Sequence, residues 1–448
     1  MNIMKSGWKA KIAALAVVAV ATVGMTACSS TSSSTSSGSN AKATINWWSW
    51  NPDNTQDKAW ITAFEKDHPN ITVKHRFIQI ADYPNAVRLA ATSGSGPDVF
   101  GLQVGAMTAQ FAPLTADLAP LAAKNIGSNW KTKLNATDQL SVHGKQVGLP
   151  WMITGGGLVW YNKTIFDKAG ATPPTTLAEW QTACAKVEAI GVKCFVQGAK
   201  DDWVNLDVYQ AISNQITPGT FYKAVAGKTK FATADFERAF TVWKSLFNNG
   251  IIQSGALGTT QYPDANDAFN KGQAAMIAFG TWNDDHMTTA TLATAASTYG
   301  DQIKSQVFVP MAFPDVVGGA KETGRIFGGP DVGWAVSAKS TKKNAAFTLV
   351  QWLTSSEAAQ SMMAQSLQTP ALKSIPVPDT GLTAPEVQKP ALANQAKQIG
   401  NLIGARQISN ADVATALSQA LSSVASGQMT SADAAKSVQT AIDTAYSK

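Results

Sequence analysis

Cysteine and histidine are scarce in this 448-residue chain, with three of the first and four of the second. His68, His75, His143 and His286 are scattered and read as surface or helix-end residues, and Cys184 and Cys194 are too few for a structural zinc site, which takes four clustered ligands. No run of Lys and Arg stands out, and a formal net charge of +6 is too mild for a nucleic-acid footprint. Beyond the N-terminal leader no apolar stretch reaches the ~20 residues of a membrane-spanning helix. Glutamate is also thin, and no motif sets two carboxylates on facing strands, as hydrolysis of a glycosidic bond requires. These shortages exclude metal capture, nucleic-acid binding and further membrane spans, weigh against hydrolytic chemistry, and give no reason to expect a cofactor.

The chain starts with a leader. Lys5, Lys9 and Lys11 give it a positive start, Ile12 to Val23 is a short apolar run, and Gly24 to Ala27 are mostly small. Met25-Thr26-Ala27-Cys28 resembles the lipobox of bacterial lipoproteins, with Met25 where Leu is usual. The expectation is a signal peptide over 1–28 ending at a lipidated Cys28, which holds the protein on the extracellular face of the cell membrane. Residues 29–42 are rich in Ser and Thr, a flexible tether whose twelve or so polar residues hold a folded body roughly 20 Å from the membrane. Loss of the leader lysines lowers the charge to about +3, and about 420 residues remain, enough for two lobes. Outside the cell Cys184 and Cys194 can pair, since they fall near the end of one helix and the start of the next strand; two buried thiols are the alternative.

Tryptophan is abundant, with fourteen against seven tyrosines, and several lie beside Pro, Gly, Asn or Asp rather than in helical register. Any single Trp can be core, but indoles at strand ends beside hydrogen-bonding side chains suit a ligand with apolar faces and a polar perimeter. A sugar is such a ligand. The periodicity predicts strands at 45–50, 71–78 and 98–102 separated by helices at 57–67 and 83–92, and then strands at 158–161, 195–198 and 274–279 among helices at 162–169, 175–190, 235–249 and 264–271. Alternation of this kind argues for α/β lobes with largely parallel sheets flanked by helices, which bind ligands beyond the carboxyl ends of their strands. That rule brings Trp50, Asn51, Asp53 and Gln103 to one rim, and Asp202, Trp203, Trp282, Asn283 and Asp284 to another.

Six segments in order resemble extracellular solute-binding proteins of the maltose-binding type: Gly96-Pro97-Asp98-Val99, Leu149-Pro150-Trp151, Tyr161-Asn162-Lys163, Pro174 to Trp180, Phe269 to Met276 with Gly280 and Trp282, and Gly328-Gly329 before Trp334-Ala335-Val336. The resemblance implies a periplasmic-binding-protein-like fold, with an N-terminal lobe of 43–152 and 313–366 and a C-terminal lobe of 153–312 and 367–448 joined at a hinge. It implies a component of an ABC importer, without catalysis, that closes around an oligosaccharide and delivers it to the permease subunits in the membrane; such a tethered receptor needs no second copy. It adds Trp151, Gly328, Gly329 and Asp331 to the ligand-contact residues, the two glycines for close backbone approach. Two rivals stand beside it: an exported glycosidase using Asp202 and Asp284, and a binder of a polyamine or other small cation held by Trp faces and Asp side chains.

Overall fold

The computed structural model describes residues 42–54 and 56–447, so the expected leader, Cys28 and nearly all of the tether lie outside the described residues. Its strands are β1 (Ala43–Ser49), β2 (Ile71–Phe77), β3 (Val99–Leu102), β4 (Ser141–Val142), β5 (Lys145–Gln146), β6 (Leu149–Gly156), β7 (Leu158–Asn162), β8 (Lys193–Val196), β9 (Ala274–Phe279), β10 (Phe308–Ala312), β11 (Phe327–Val336) and β12 (Thr369–Pro370). They form a six-stranded sheet in the order β12-β6-β11-β3-β1-β2, a four-stranded sheet in the order β10-β7-β9-β8, and the small pair β4 and β5.

The α/β architecture is as expected, but the sheets are mixed rather than largely parallel. Among the named strands of the described residues, parallel pairing is confined to β1 with β2 and β3, and β8 with β9. In the first two cases the chain returns through a helix before re-entering the sheet, as parallel neighbours require. The strands that carry the chain between sheets pair antiparallel: β6 runs antiparallel to β11 and β12, β11 to β3, and β7 to β9 and β10. Only Gly157 separates β6 of one sheet from β7 of the other. Phe313 and Val316 pack in the core of the four-stranded sheet, and the chain enters the six-stranded one at Phe327.

Local chemistry explains the flanking helices. Asp57–Asp67 buries Trp60 and Phe64, one turn apart on the face toward the sheet. Leu177–Ala189 starts at Thr176, whose hydroxyl accepts the Glu179 N–H, a side-chain cap for an otherwise unpaired helix-end donor. The long helix Asp202–Ile216 is buried on nearly every face from Val204 onward and so has no amphipathic stripe, which is why Lys200 to Trp203 reads as a loop from sequence. Much of the tryptophan is structural: Trp47 meets Trp334 at 5.1 Å, Trp334 meets Trp151 at 5.2 Å, and Trp151 meets Trp60 at 5.1 Å, all in one core. His75 is likewise interior rather than at the surface, bonded to Ser49 and Asp57, and burial lowers its pKa against the pull of Asp57. No helix among the described residues is long and apolar enough to cross a membrane.

Cys184 and Cys194 form a disulfide with Cα atoms 4.8 Å apart, joining the helix Leu177–Ala189 to β8. Closing a loop this short restricts the unfolded chain by about 3 kcal/mol. A Cys184→Ser/Cys194→Ser variant is therefore expected to lose about 2–3 kcal/mol of unfolding free energy. Urea unfolding of the variant and of the oxidised protein checks this; equal midpoints would mean that the bond restrains nothing the fold does not already restrain.

Candidate functional site

A cavity of about 350 Å³ opens between the two sheets. From the six-stranded side come Trp50, Asn51 and Asp53 after β1, Phe77 and Gln79 at the end of β2, Gln103 after β3 and Asp331 within β11. The opposite wall holds Trp203, Tyr262, Asn266, Asp267, Trp282, Asn283, Asp285, His286 and Tyr299, and Arg406 reaches in from the segment before the last two helices.

Each side chain is aimed by a local feature. Trp50 follows β1, meets Tyr83 edge to face at 4.8 Å, and lies where a Cβ on Gly101 would be only 2.9 Å from its ring. Asp331 sits at a bulge: Pro330 pairs with Ile153 and Val332 with Met152, and the residue between is skipped. A bulge re-aims a side chain, and Pro330, with no N–H to give the ladder, suits that place. Trp203 occupies the first turn of the helix Asp202–Ile216, while Trp282 lies in the short helical turn Thr281–Met287 after β9. Trp282 donates its Nε1–H to the Tyr262 hydroxyl at 3.2 Å, and its carbonyl accepts from Gln368 at 3.1 Å.

Arg406 is the electrostatic centre. Its Nε–H is shared between the two oxygens of Asp207 at 2.9 and 3.0 Å, and Nη1 donates to Asp331 Oδ1 at 3.3 Å. Gln103 Nε2 donates to the same Oδ1 at 2.9 Å. Burial works against the charge on Arg406, but Asp207 and Asp331 more than offset it and its pKa is raised; burial likewise pushes Asp207 up against the pull of Arg406. The guanidinium carbon stands 4.2 Å over the Trp282 ring and 5.2 Å over Trp203. Asp267 is paired with Lys271 at 2.8 Å and Asp285 with His286 at 2.9 Å. Among the described residues no group of three or more His, Cys, Asp or Glu is placed to hold a metal ion.

Of the residues expected from sequence, Trp50, Asn51, Asp53, Gln103, Trp203, Trp282, Asn283 and Asp331 come together around this cavity. Trp151 does not: it is a core residue against Trp60 and Trp334, and reaches only a smaller adjoining cavity of about 190 Å³ that shares Asn51, Gln56, Trp282 and Asp285 with the larger one. Asp202 is exposed at a helix start beside Ser418, and Asp284 is buried away from the cleft, so the two carboxylates of the glycosidase alternative do not share a site. Gly328 and Gly329 do not line the cavity; a Cβ on Gly328 would lie 1.9 Å from the Thr154 carbonyl, and one on Gly329 2.2 Å from Gln139, so these glycines serve packing within the protein. His286 and Asp285, unremarkable in sequence, line the cleft, as do Tyr262, Tyr299 and Arg406. Arg406 lies in a Gly- and Asn-containing stretch without period, about two hundred positions from Asp207; its one local signal is Gly404 just before it, where a Cβ would fall 2.3 Å from the Tyr222 ring.

Residues 48–360 match the family described as bacterial extracellular solute-binding protein. An uncharacterized ABC transporter extracellular-binding protein of Pyrococcus horikoshii is 20% identical over 245 residues, 53% of this chain and 54% of the relative; the chain spans about half the length of the curated relatives it matches. Among solved structures, a chain from work on xylan utilization by Caldanaerobius polysaccharolyticus superposes with a TM-score of 0.71 at 22% identity, covering 89% of this chain and 99% of that one. An ABC substrate-binding protein of Listeria monocytogenes in complex with cycloalternan gives a TM-score of 0.71 at 20% identity, covering 91% and 99%. At these identities the likeness is one of fold.

Asp284 carries a separate consequence. Asp284 is 3% exposed, its Oδ1 has no hydrogen-bond partner among the described residues, and burial raises its pKa well above the ordinary carboxylate range against the pull of nearby Gln395. A carboxyl whose pKa is higher folded than unfolded loses stability as pH rises from its unfolded value of about 4 toward its folded one. Asp284→Asn, neutral throughout, is expected to unfold at a higher urea midpoint than the unsubstituted protein above about pH 4, with a gap that widens toward neutrality. Urea midpoints at pH 4, 6 and 8 check this, and a constant gap would show that the carboxyl is not the titrating group.

Proposed function

The chain belongs to the bacterial extracellular solute-binding protein family, a family that binds solutes and performs no catalysis, and we propose that it is the substrate-binding component of an ABC importer whose ligand is a carbohydrate of more than one unit. The observation that carries this reading is the meeting of Trp50 from one sheet with Trp203, Tyr262 and Trp282 from the other across a cavity rimmed by Asn, Gln and Asp. Sugar rings lay their C–H faces on indoles, and each buried hydroxyl left unpaired costs about 1–3 kcal/mol, so both kinds of group are needed. Asn283 adds to this: it lines the cleft, and its Nδ2 is buried without an acceptor among the described residues. A Listeria relative of the same fold is complexed with cycloalternan, which supports an oligosaccharide.

In this reading the halves exchange strands at Gly155 to Leu158, Ala312 to Phe327 and Leu367 to Pro370 and bend there, and a ligand touching both walls favours the closed form through its contacts in that form. The loaded protein then meets the permease subunits. Cleavage before Cys28, its lipidation and the polar tether complete the proposal, as a monomer on the extracellular face of the cell membrane. The acidic cleft lining gives the cation reading its one supporting observation, although Asp267, Asp285 and Asp331 each have a basic partner.

Titration of tryptophan fluorescence with maltotriose, xylotriose, chitotriose, cycloalternan and spermidine tests the proposal. One saccharide class is expected to bind saturably near micromolar, about −8 kcal/mol, and to be recovered intact by chromatography; a response to spermidine alone sinks the carbohydrate reading. Trp50→Ala and Trp282→Ala, on opposite walls, should each weaken binding by more than about 1 kcal/mol at a temperature where the variant is fully folded, beyond the loss of melting temperature expected from the contacts each indole makes with Tyr83 or Tyr262. Unchanged saccharide affinity in a folded variant would reassign that indole to the core.

A further inference from the structure

The aromatic corner of the cleft already holds a cation, and it is the protein's own. Trp203 and Trp282 meet edge to face at 5.8 Å, and the Arg406 guanidinium lies over both rings, at 5.2 and 4.2 Å. Indole faces with carboxylates beside them are the usual receptacle for an organic cation. Here Asp207 fixes the guanidinium through Nε, and the backbone carbonyl of Arg406 accepts from Gln210 Nε2 at 2.8 Å, so the planar group is held from both ends. The segment carrying it is pinned in turn by Ile403 N–H to the Ile326 carbonyl at 3.0 Å, Gly328 N–H to the Gly404 carbonyl at 2.9 Å and Ala106 N–H to the Ile408 carbonyl at 3.1 Å.

Resting on the carbohydrate reading, we infer that Arg406 determines the ligand class: it occupies the corner an organic cation would take, and it offers a neutral sugar a donor next to an acceptor. The donor is Nη2, for which the described residues provide no acceptor; the bonds of Arg406 run from Nε and Nη1. The acceptor is Oδ2 of Asp331, because Gln103 and Arg406 both bond Oδ1. Adjacent hydroxyls of a pyranose each donate and accept, so such a pair fits one guanidinium N–H and one carboxylate oxygen held side by side. A lysine would supply the charge without the plane or the fork. Arg406 lies outside residues 48–360, the part of the chain that matches the family.

The test uses three mature proteins: unsubstituted, Arg406→Ala, and Asp207→Asn/Arg406→Ala, the last relieving the buried carboxylate that the single variant leaves unpaired, in case that variant fails to fold. Guanidinium chloride and tetramethylammonium chloride are titrated at non-denaturing millimolar concentrations against a sodium chloride control, with tryptophan fluorescence and melting temperature as readouts. The vacated corner is expected to take guanidinium saturably in whichever variant folds, at least tenfold more tightly than the unsubstituted protein, and to raise the variant's melting temperature. Equal cation binding by the unsubstituted protein, or none by a folded variant, overturns the inference irrespective of any saccharide result. Arg406→Lys tests the second half: it should lose at least tenfold in affinity for the saccharide that the unsubstituted protein binds and stay closed to tetramethylammonium. Undiminished saccharide affinity in Arg406→Lys would reduce the residue to a structural bridge.

Discussion

Strands β6 and β11 pass each other so closely that no side chain fits at Gly155 or Gly328, which face each other in the ladder. β6 and β11 pair from Leu149 with Trp334 to Gly156 with Phe327, and a Cβ at Gly155 would stand 2.0 Å from Ile326 Cγ2. Everything at the cleft depends on that contact. It sets how far β11 reaches toward the four-stranded sheet, and hence where its bulge delivers Asp331 to meet Arg406. It also holds Gly155 against the turn that carries Trp282, since the Gly155 N–H bonds the Thr281 hydroxyl at 3.0 Å. A steric constraint on the backbone thus becomes a positional constraint on the side chains of the site.

The charges at the cleft are costly and are held for position. One buried guanidinium between two carboxylates must recover a desolvation penalty of several kcal/mol per ion, and such clusters are often no better for stability than apolar packing of the same volume. Their geometry is the gain. Asp207 belongs to a helix of the four-stranded half and Asp331 to a strand of the six-stranded half, so Arg406 ties groups from both to one plane. Losing one member would leave a buried charge uncompensated, which is more damaging than never having had the cluster.

What could be read from sequence followed periodicity. β1, the helix Asp57–Asp67 and β2 were legible because their apolar residues repeat with the element, and Trp50 and Trp282 because each closes or follows a strand. Where burial is uniform that signal vanishes: the helix Asp202–Ile216 is covered on almost all sides, so its first turn passed for a loop and Asp202 for a rim acid. Asp284 and Trp151 were misplaced for a related reason. Sequence gives the end of a strand but not which way the next residues turn, and in the helical turn Thr281–Met287 every third side chain, Thr281, Asp284 and Met287, is buried while Trp282, Asn283, Asp285 and His286 line the cleft. Arg406 was invisible because its role rests on pairings across about two hundred residues, and distant pairings leave no local pattern.

The available aromatic surface also bears on how the proposed ligand would be distinguished from its analogues. Arg406 covers part of Trp282 and Trp203, Tyr262 stacks on Phe279 at 5.6 Å, and Trp50 rests against Tyr83, so less indole is free for sugar faces than the lining residues suggest. The remaining recognition falls to polar groups, among them Asn283 Nδ2 and the Asp331 carboxylate. An apolar pocket separates ligands differing by one methylene only about 10- to 200-fold, whereas a site built around hydrogen bonds to a hydroxyl can reject an analogue lacking it by 10⁴ or more, because its own buried groups are left unpaired. If the ligand is the carbohydrate proposed, a cleft whose indoles are partly covered and whose guanidinium and shared carboxylate are fixed would tell sugars of equal size and polarity apart by the orientation of their hydroxyls.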